Sequence, residues 1–109
     1  MKYLLASVLL LISTAQAADQ VYIFSRPGCS PCEAMHRAFA KDATLLVGLE
    51  VYKCDTAQRP DIAKKYAVTS VPAIVLVRDG REVRRRVGWT TADDFRDWID
   101  DATYRRKWR

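Results

Sequence analysis

The sequence predicts an α/β domain: a central mixed sheet of four strands flanked by helices, in the order β-α-β-α-β-β-α. Short apolar runs rich in β-branched residues alternate with segments of helical spacing. A helical segment lies between the first two runs, the connection that a parallel strand pair requires. Asp79-Gly80 separates the last two runs, and a two-residue hairpin turn favours that dipeptide because both central positions need positive φ.

Residues 21–24, VYIF, form the first run, β-branched at Val21 and Ile23, and SRPG ends it as a strand running into a loop. Pro31 suits the first turn of a helix, where its missing N–H is no loss. Met35, Ala38, Phe39 and Asp42 then fall at helical spacing, so a helix is expected over 30–42 with Met35 and Phe39 facing the core. LEVYKC, 49–54, is the second strand, and its lack of strict alternation predicts cover on both faces. DTAQRP breaks the chain. PDIAKKY, 60–66, is then a short helix with Pro60 near its start and Asp61 in a first turn whose dipole favours an acid.

AIVLV, 73–77, is continuously apolar and so is expected at the centre of the sheet. In EVRRRV, 82–87, Val83, Arg85 and Val87 alternate with Glu82, Arg84 and Arg86, as in an edge strand whose arginines discourage pairing with another chain. After Gly88, TTADD supplies threonine caps and acidic first-turn residues for a last helix. Its expected buried stripe is Phe95, Trp98, Ile99 and Ala102, at i, i+3, i+4 and i+7.

Residues 1–17, MKYLLASVLLLISTAQA, have a charged start at Lys2, an apolar run broken only by Ser7, and small residues at Ala15 and Ala17 around Gln16. That is the pattern of a secretory signal peptide, expected to be cleaved after Ala17. The run is about half the roughly 20 residues that span a bilayer, and no cysteine near the cleavage point would take a lipid anchor. Removing these 17 of the 109 residues leaves 92, and the loss of Lys2 lowers the formal net charge from +5 to +4. Residues 18–109 make one domain, with no room for a second core. Export, expected to the periplasm, argues against nucleic acid as the partner of this mild positive charge and leaves acidic proteins or anionic lipid headgroups. The tail YRRKWR, 104–109, is by default a frayed end, and through Trp108 it offers a weak contact to an acidic partner or a membrane surface. The product is expected to be a monomer.

The mature chain keeps Cys29, Cys32 and Cys54, and outside the cytoplasm thiols tend to become disulfides, which leaves one of three unpaired. In RPGCSPCEAMH, 26–36, Cys29 and Cys32 stand three positions apart at a helix start. Electron exchange with other proteins, a metal site and a static disulfide are all open at this point. A static disulfide here closes so small a loop that it constrains the unfolded chain little. A metal would take Cys29, Cys32 and His36 from one helical face with Cys54 as a fourth ligand, a set that zinc and copper accept. No metal is expected, because a histidine one turn below such a pair is more often structural, and Cys54 reads as a buried small hydrophobe.

Four parts in register resemble the thioredoxin superfamily, over about 21–102. They are C-x-P-C as CSPC at a strand-to-helix junction; Asp55, Pro60, Lys65-Tyr66 and Val68; Ser70-Val71-Pro72 before the central strand; and Asp79-Gly80 with Val87-Gly88. The resemblance implies a minimal thioredoxin-like fold and a thiol-disulfide oxidoreductase without a bound cofactor, acting on protein disulfides or thiols with a membrane or soluble redox partner. Only a thiolate attacks a disulfide. Cys29, at a helix N-terminus that favours negative charge and three residues from Arg26, is the expected nucleophile. Cys32 is expected to resolve the mixed disulfide by attacking the Cys29 sulfur, so that the pair cycles as a Cys29–Cys32 disulfide.

Pro72 alone says only that proline is tolerated at the first residue of a strand. The resemblance adds a cis Val71-Pro72 bond whose backbone pairs with extended substrate. The chain also departs from that family. With ADQ alone before Val21 after cleavage, its layout is the shorter one of glutaredoxins. Gly28 stands where thioredoxins place an aromatic residue, Ile23 where they keep a buried aspartate, and Val51 where they keep its lysine partner. A specialised exchanger without that acid-base pair is therefore expected. The alternative of a different class is a binding or assembly module of the cell envelope, using the dithiol for metal capture or partner docking.

Overall fold

A computed structural model of the chain describes residues 18–107, with side chains through Tyr104. The signal peptide expected over 1–17 and the contact expected of Trp108 lie outside the described residues. The elements are β1 (Gln20–Ser25), α1 (Ser30–Lys41), a 3-10 helix (Ala43–Leu46), β2 (Glu50–Asp55), α2 (Pro60–Lys65), β3 (Ala73–Arg78), β4 (Arg81–Val87) and α3 (Ala92–Lys107).

The strands order as β2-β1-β3-β4. β1 and β2 run parallel, Val21 opposite Val51, as the helical crossover between them requires. β3 runs antiparallel to both β1 and β4. Its run 73–77 is buried throughout, as its continuous apolar character predicted. Asp79 and Gly80 both take positive φ, 52° and 75°, and join β3 to β4 in two residues.

Two core layers lie on the two faces of this sheet. One contains Val21, Ile23, Ile74 and Leu76 with Met35 and Phe39 of α1, Leu45 of the 3-10 helix, and Phe95, Ile99 and Ala102 of α3. Aromatic rings finish it: Phe39 meets Phe95 edge-on at 5.2 Å between centroids, and Trp89 meets Phe39 at 5.4 Å. The other contains Phe24, Cys54, Ala73, Val75 and Val77, with Ala63 of α2.

Four expectations are corrected or refined. β2 is an edge strand with Tyr52 and Lys53 exposed, so its irregular pattern reflects thin cover, because α2 has only six residues. β4 is the other edge, but a bulge intervenes: Leu76 pairs with Arg84 and Val77 with Glu82, leaving Val83 as the extra residue. Its arginines also bind inward. Arg84 reaches the Trp98 carbonyl at 3.1 Å and Asp101 at 2.7 Å, and Arg86 pairs with Asp94. Trp98 is half-buried instead of fully buried, with the Arg86 guanidinium 5.8 Å over its ring.

Two ties have no counterpart in the sequence reading. Asp42 caps the 3-10 helix by accepting the Thr44 N–H at 3.0 Å, which seats Leu45 in the core. Arg78 donates to both carboxylate oxygens of buried Asp19, at 3.0 and 2.8 Å, and to the Ala102 carbonyl at 3.2 Å. That one guanidinium joins the start of β1, the end of β3 and α3.

Candidate functional site

β1 ends at Ser25, whose carbonyl still accepts the Thr56 N–H at 2.9 Å, so the chain is held to the sheet up to its last strand residue. Arg26, Pro27 and Gly28 then form an exposed loop. Gly28 sits at φ +74°, a left-handed conformation that glycine adopts without penalty, and turns the chain into α1. Cys29 is the N-cap. Its carbonyl accepts the Glu33 N–H at 3.1 Å and its Sγ accepts the Cys32 N–H at 3.2 Å, taking the place that a serine or aspartate oxygen usually fills. Pro31 occupies the first turn with no N–H to satisfy.

Cys29 and Cys32 are joined by a disulfide, with Cα atoms 5.2 Å apart, a normal separation for such a bridge. The pair is unequal: Cys29 is 8% exposed and Cys32 is 1%. Ile23 is fully buried in the same core layer as Met35, and Val51 packs against that layer. Both side chains are hydrocarbon and carry no titratable group.

Val71-Pro72 is a cis peptide bond. Pro72 is fully buried and its carbonyl accepts the Gly88 N–H at 2.8 Å. Because Phe24 pairs with Ala73, this peptide lies at the end of the sheet where β1 delivers the dithiol loop. Cys29, Cys32, Val71 and Pro72 thus come to one end of the molecule.

His36 and Cys54 do not join them. His36, half-buried in α1, forms a hydrogen bond between its Nε2 and the Ser25 hydroxyl at 3.1 Å. Cys54 is buried in the opposite core layer, where burial pushes its thiol pKa up. Among the described residues no three His, Cys, Asp or Glu side chains converge as a metal site would require. Sequence reasoning missed the Ser25–His36 bond. Its signal was a small polar residue ending the first strand, eleven positions before the chain's single histidine.

The family model for thioredoxin matches residues 12–101. The chain belongs to the thioredoxin family. Among relatives of this thioredoxin-family chain, Thioredoxin H2 of Arabidopsis thaliana is 35% identical over 65 residues, 60% of this chain and 49% of its own length. A Thioredoxin H-type of Oryza sativa subsp. indica is 30% identical over 90 residues, 81% of this chain and 73% of its own. The chain thus spans about half the length of the first relative and about three quarters of the second. Of solved structures, oxidised mitochondrial thioredoxin 3 from Saccharomyces cerevisiae superposes with a TM-score of 0.68 at 30% identity, covering 79% of this chain and 80% of that one. Thioredoxin from Trypanosoma brucei brucei has a TM-score of 0.72 at 21% identity, covering 82% and 78%, and supports the fold alone. Within this family frame, the Cys29–Cys32 pair is a dithiol-disulfide couple at a helix N-terminus.

Proposed function

We propose that this chain is an exported thiol-disulfide oxidoreductase that exchanges electrons with protein disulfides through Cys29 and Cys32. The carrying observation is the bonded pair at the start of α1, with the Cys29 sulfur capping the helix and Cys32 beneath it. Helix N–H groups stabilise a thiolate at Cys29 once the pair is reduced. That thiolate attacks one sulfur of a substrate disulfide, forming a Cys29–substrate bond, and the second substrate sulfur leaves as a thiolate and takes a proton. The Cys32 thiolate then attacks the Cys29 sulfur, the intramolecular disulfide forms and the first substrate sulfur departs. Two electrons and two protons have passed to the substrate, and run backwards the same steps oxidise a substrate dithiol.

Ile23 and Val51 are hydrocarbon where thioredoxins keep an acid and its lysine, so neither side chain takes up the proton of Cys32, which favours a dedicated partner over a general reductase. Val71 and Pro72, at the same end of the sheet, offer backbone to an extended substrate segment. Export to the periplasm rests on the signal-like pattern of residues 1–17. Among the described residues no helix is long and apolar enough to cross a membrane.

Expressing Cys32→Ser tests the reading, because attack still occurs and resolution does not. Mixed disulfides through Cys29, seen as reducible mass shifts and lost in the Cys29→Ser, Cys32→Ser double variant, are expected. A dithiol that forms no such adduct, or purified protein carrying stoichiometric metal, overturns it.

A further inference from the structure

The dithiol loop, residues 25–29, is held by bonds other than the disulfide. At its upstream end the Ser25 hydroxyl meets His36 Nε2 at 3.1 Å and the Ser25 carbonyl takes the Thr56 N–H at 2.9 Å. At its downstream end the Cys29 carbonyl takes the Glu33 N–H at 3.1 Å. His36 lies one turn beyond Cys32, so the Ser25 bond reaches from inside α1 back across the loop that carries the outer cysteine. Between its two ends the loop is exposed at Arg26, Pro27 and Gly28 and contributes no side chain to the core.

We propose that His36 is a positioning residue for the dithiol: its bond to Ser25 fastens the loop to α1, holds Cys29 near Cys32 and so favours the disulfide over the dithiol. The inference rests on the exchange reading above. In the disulfide form the covalent bond ties Cys29 to α1 whatever Ser25 does. In the dithiol form that tie is absent. The Cys29 sulfur then stays on the Cys32 N–H only as far as the loop is held at Ser25 and at its own cap. The disulfide pre-orders the loop for the His36–Ser25 bond, whereas in the dithiol form the same bond must also offset the entropy of ordering the loop. The bond therefore stabilises the oxidised form more, and its loss moves the equilibrium toward the dithiol.

The test uses glutathione at one fixed pH. Two protein thiols and one glutathione disulfide give one protein disulfide and two glutathione thiols, so two electrons and two protons pass to glutathione. Wild type, His36→Leu, Ser25→Ala and the double variant are equilibrated across glutathione ratios and the thiols counted by alkylation and mass. Each single variant is expected to lower the equilibrium constant for disulfide formation, by at most about two- to tenfold, the range of one net hydrogen bond. The double variant is expected to match the larger single effect, because both changes remove one bond. Thermal unfolding separates positioning from plain structure: the oxidised forms of the variants lose more stability than the reduced forms do. No shift in the single variants, additive shifts in the double, or equal destabilisation of both redox forms overturns the proposal. Should His36→Leu not fold, Ser25→Ala, which removes one hydroxyl, decides alone. A wild-type protein that never equilibrates with glutathione overturns the exchange reading itself, and this proposal with it.

Discussion

On one face of the sheet α1, the 3-10 helix and α3 pack over Val21, Ile23, Ile74 and Leu76, and Phe39, Trp89, Phe95 and Trp98 fill the space between them. On the other, the six-residue α2 contributes Ala63 to the layer that holds Val75 and its neighbours, and a stack of Tyr22, Tyr52 and Tyr66 completes what the helix does not reach. Each face contains cysteine and treats it differently. α1, on the thick face, presents Cys29 at its N-terminus with an N–H aimed at the sulfur. On the thin face Cys54, near the end of edge strand β2, is enclosed, and burial raises its pKa. Burial alone makes a thiol inert, and a helix end makes it a partner for electrons.

The largest test of that contrast is stability. Phe95 is fully buried against Phe39, Trp89 and Trp98, so Phe95→Ala is expected to lose about 3–5 kcal/mol in urea unfolding. Tyr66 is only half-buried on the thin face, and Tyr66→Ala is expected to lose about 1–2 kcal/mol. Equal losses would mean that the tyrosine stack is a full core layer, and the contrast would fall. Next in size is Arg78→Met, which strips buried Asp19 of two guanidinium bonds and uncouples the Ala102 carbonyl. A loss of about 3 kcal/mol is expected, the low end for breaking a buried pair, because Arg78 is partly exposed.

Phe95 and Arg78 also mark what the sequence disclosed. Phe95 was legible because the stripe of α3 repeats at helical spacing, and β3 because five apolar residues in a row fit only a strand covered on both faces. The dithiol end was legible because CSPC and Ser70-Val71-Pro72 stand in the register of the thioredoxin superfamily, a resemblance that implied the cis bond Pro72 alone does not. The Asp19–Arg78 pair was not, since its members lie 59 positions apart and each alone reads as a surface charge. The 3-10 helix has four residues, too few for a period to show. β2 was misjudged because an edge strand that lacks a long covering helix mixes exposed and buried positions much as a doubly covered strand does.

A smaller effect concerns the thiols directly. With the reduced native protein, iodoacetamide at neutral pH is expected to modify Cys29 first, with Cys54 slower by on the order of tenfold or more until denaturant is added. Cys54→Ala is expected to leave the disulfide-exchange rate of the Cys29–Cys32 pair unchanged within about twofold, as it touches neither sulfur. Early labelling of Cys54 would show that the thin face opens in the native state, and its burial would no longer explain its silence.

The smallest effect separates the faces by their charges. The Asp94 carboxyl, in the first turn of α3, is held below the usual carboxylate range by the Thr90 hydroxyl at 2.5 Å and by Arg86 of β4. Asp42 is held low by Thr44 and by Arg96, 2.7 Å away on α3. On the thin face Asp61 is lowered by Arg59, a neighbour two residues back that ties nothing distant. Each of these acids has a lower pKa folded than unfolded, so each contributes stability above the ordinary value near pH 4 and loses it as pH falls through the folded value. All three are solvent-exposed, so the contributions are modest and screened by salt. Between pH 5 and pH 3 the thermal midpoint should therefore fall less in Asp94→Asn than in wild type, while Asp61→Asn, whose pair with Arg59 is local enough to persist in part in the unfolded chain, flattens the profile less. At roughly 1 M salt, where the screening length is near 3 Å, the gap between Asp94→Asn and wild type should narrow. If Asp61→Asn flattens the profile as much as Asp94→Asn does, acid acts on the two faces alike, and the strap from β4 to α3 carries no special share of the thick face's stability.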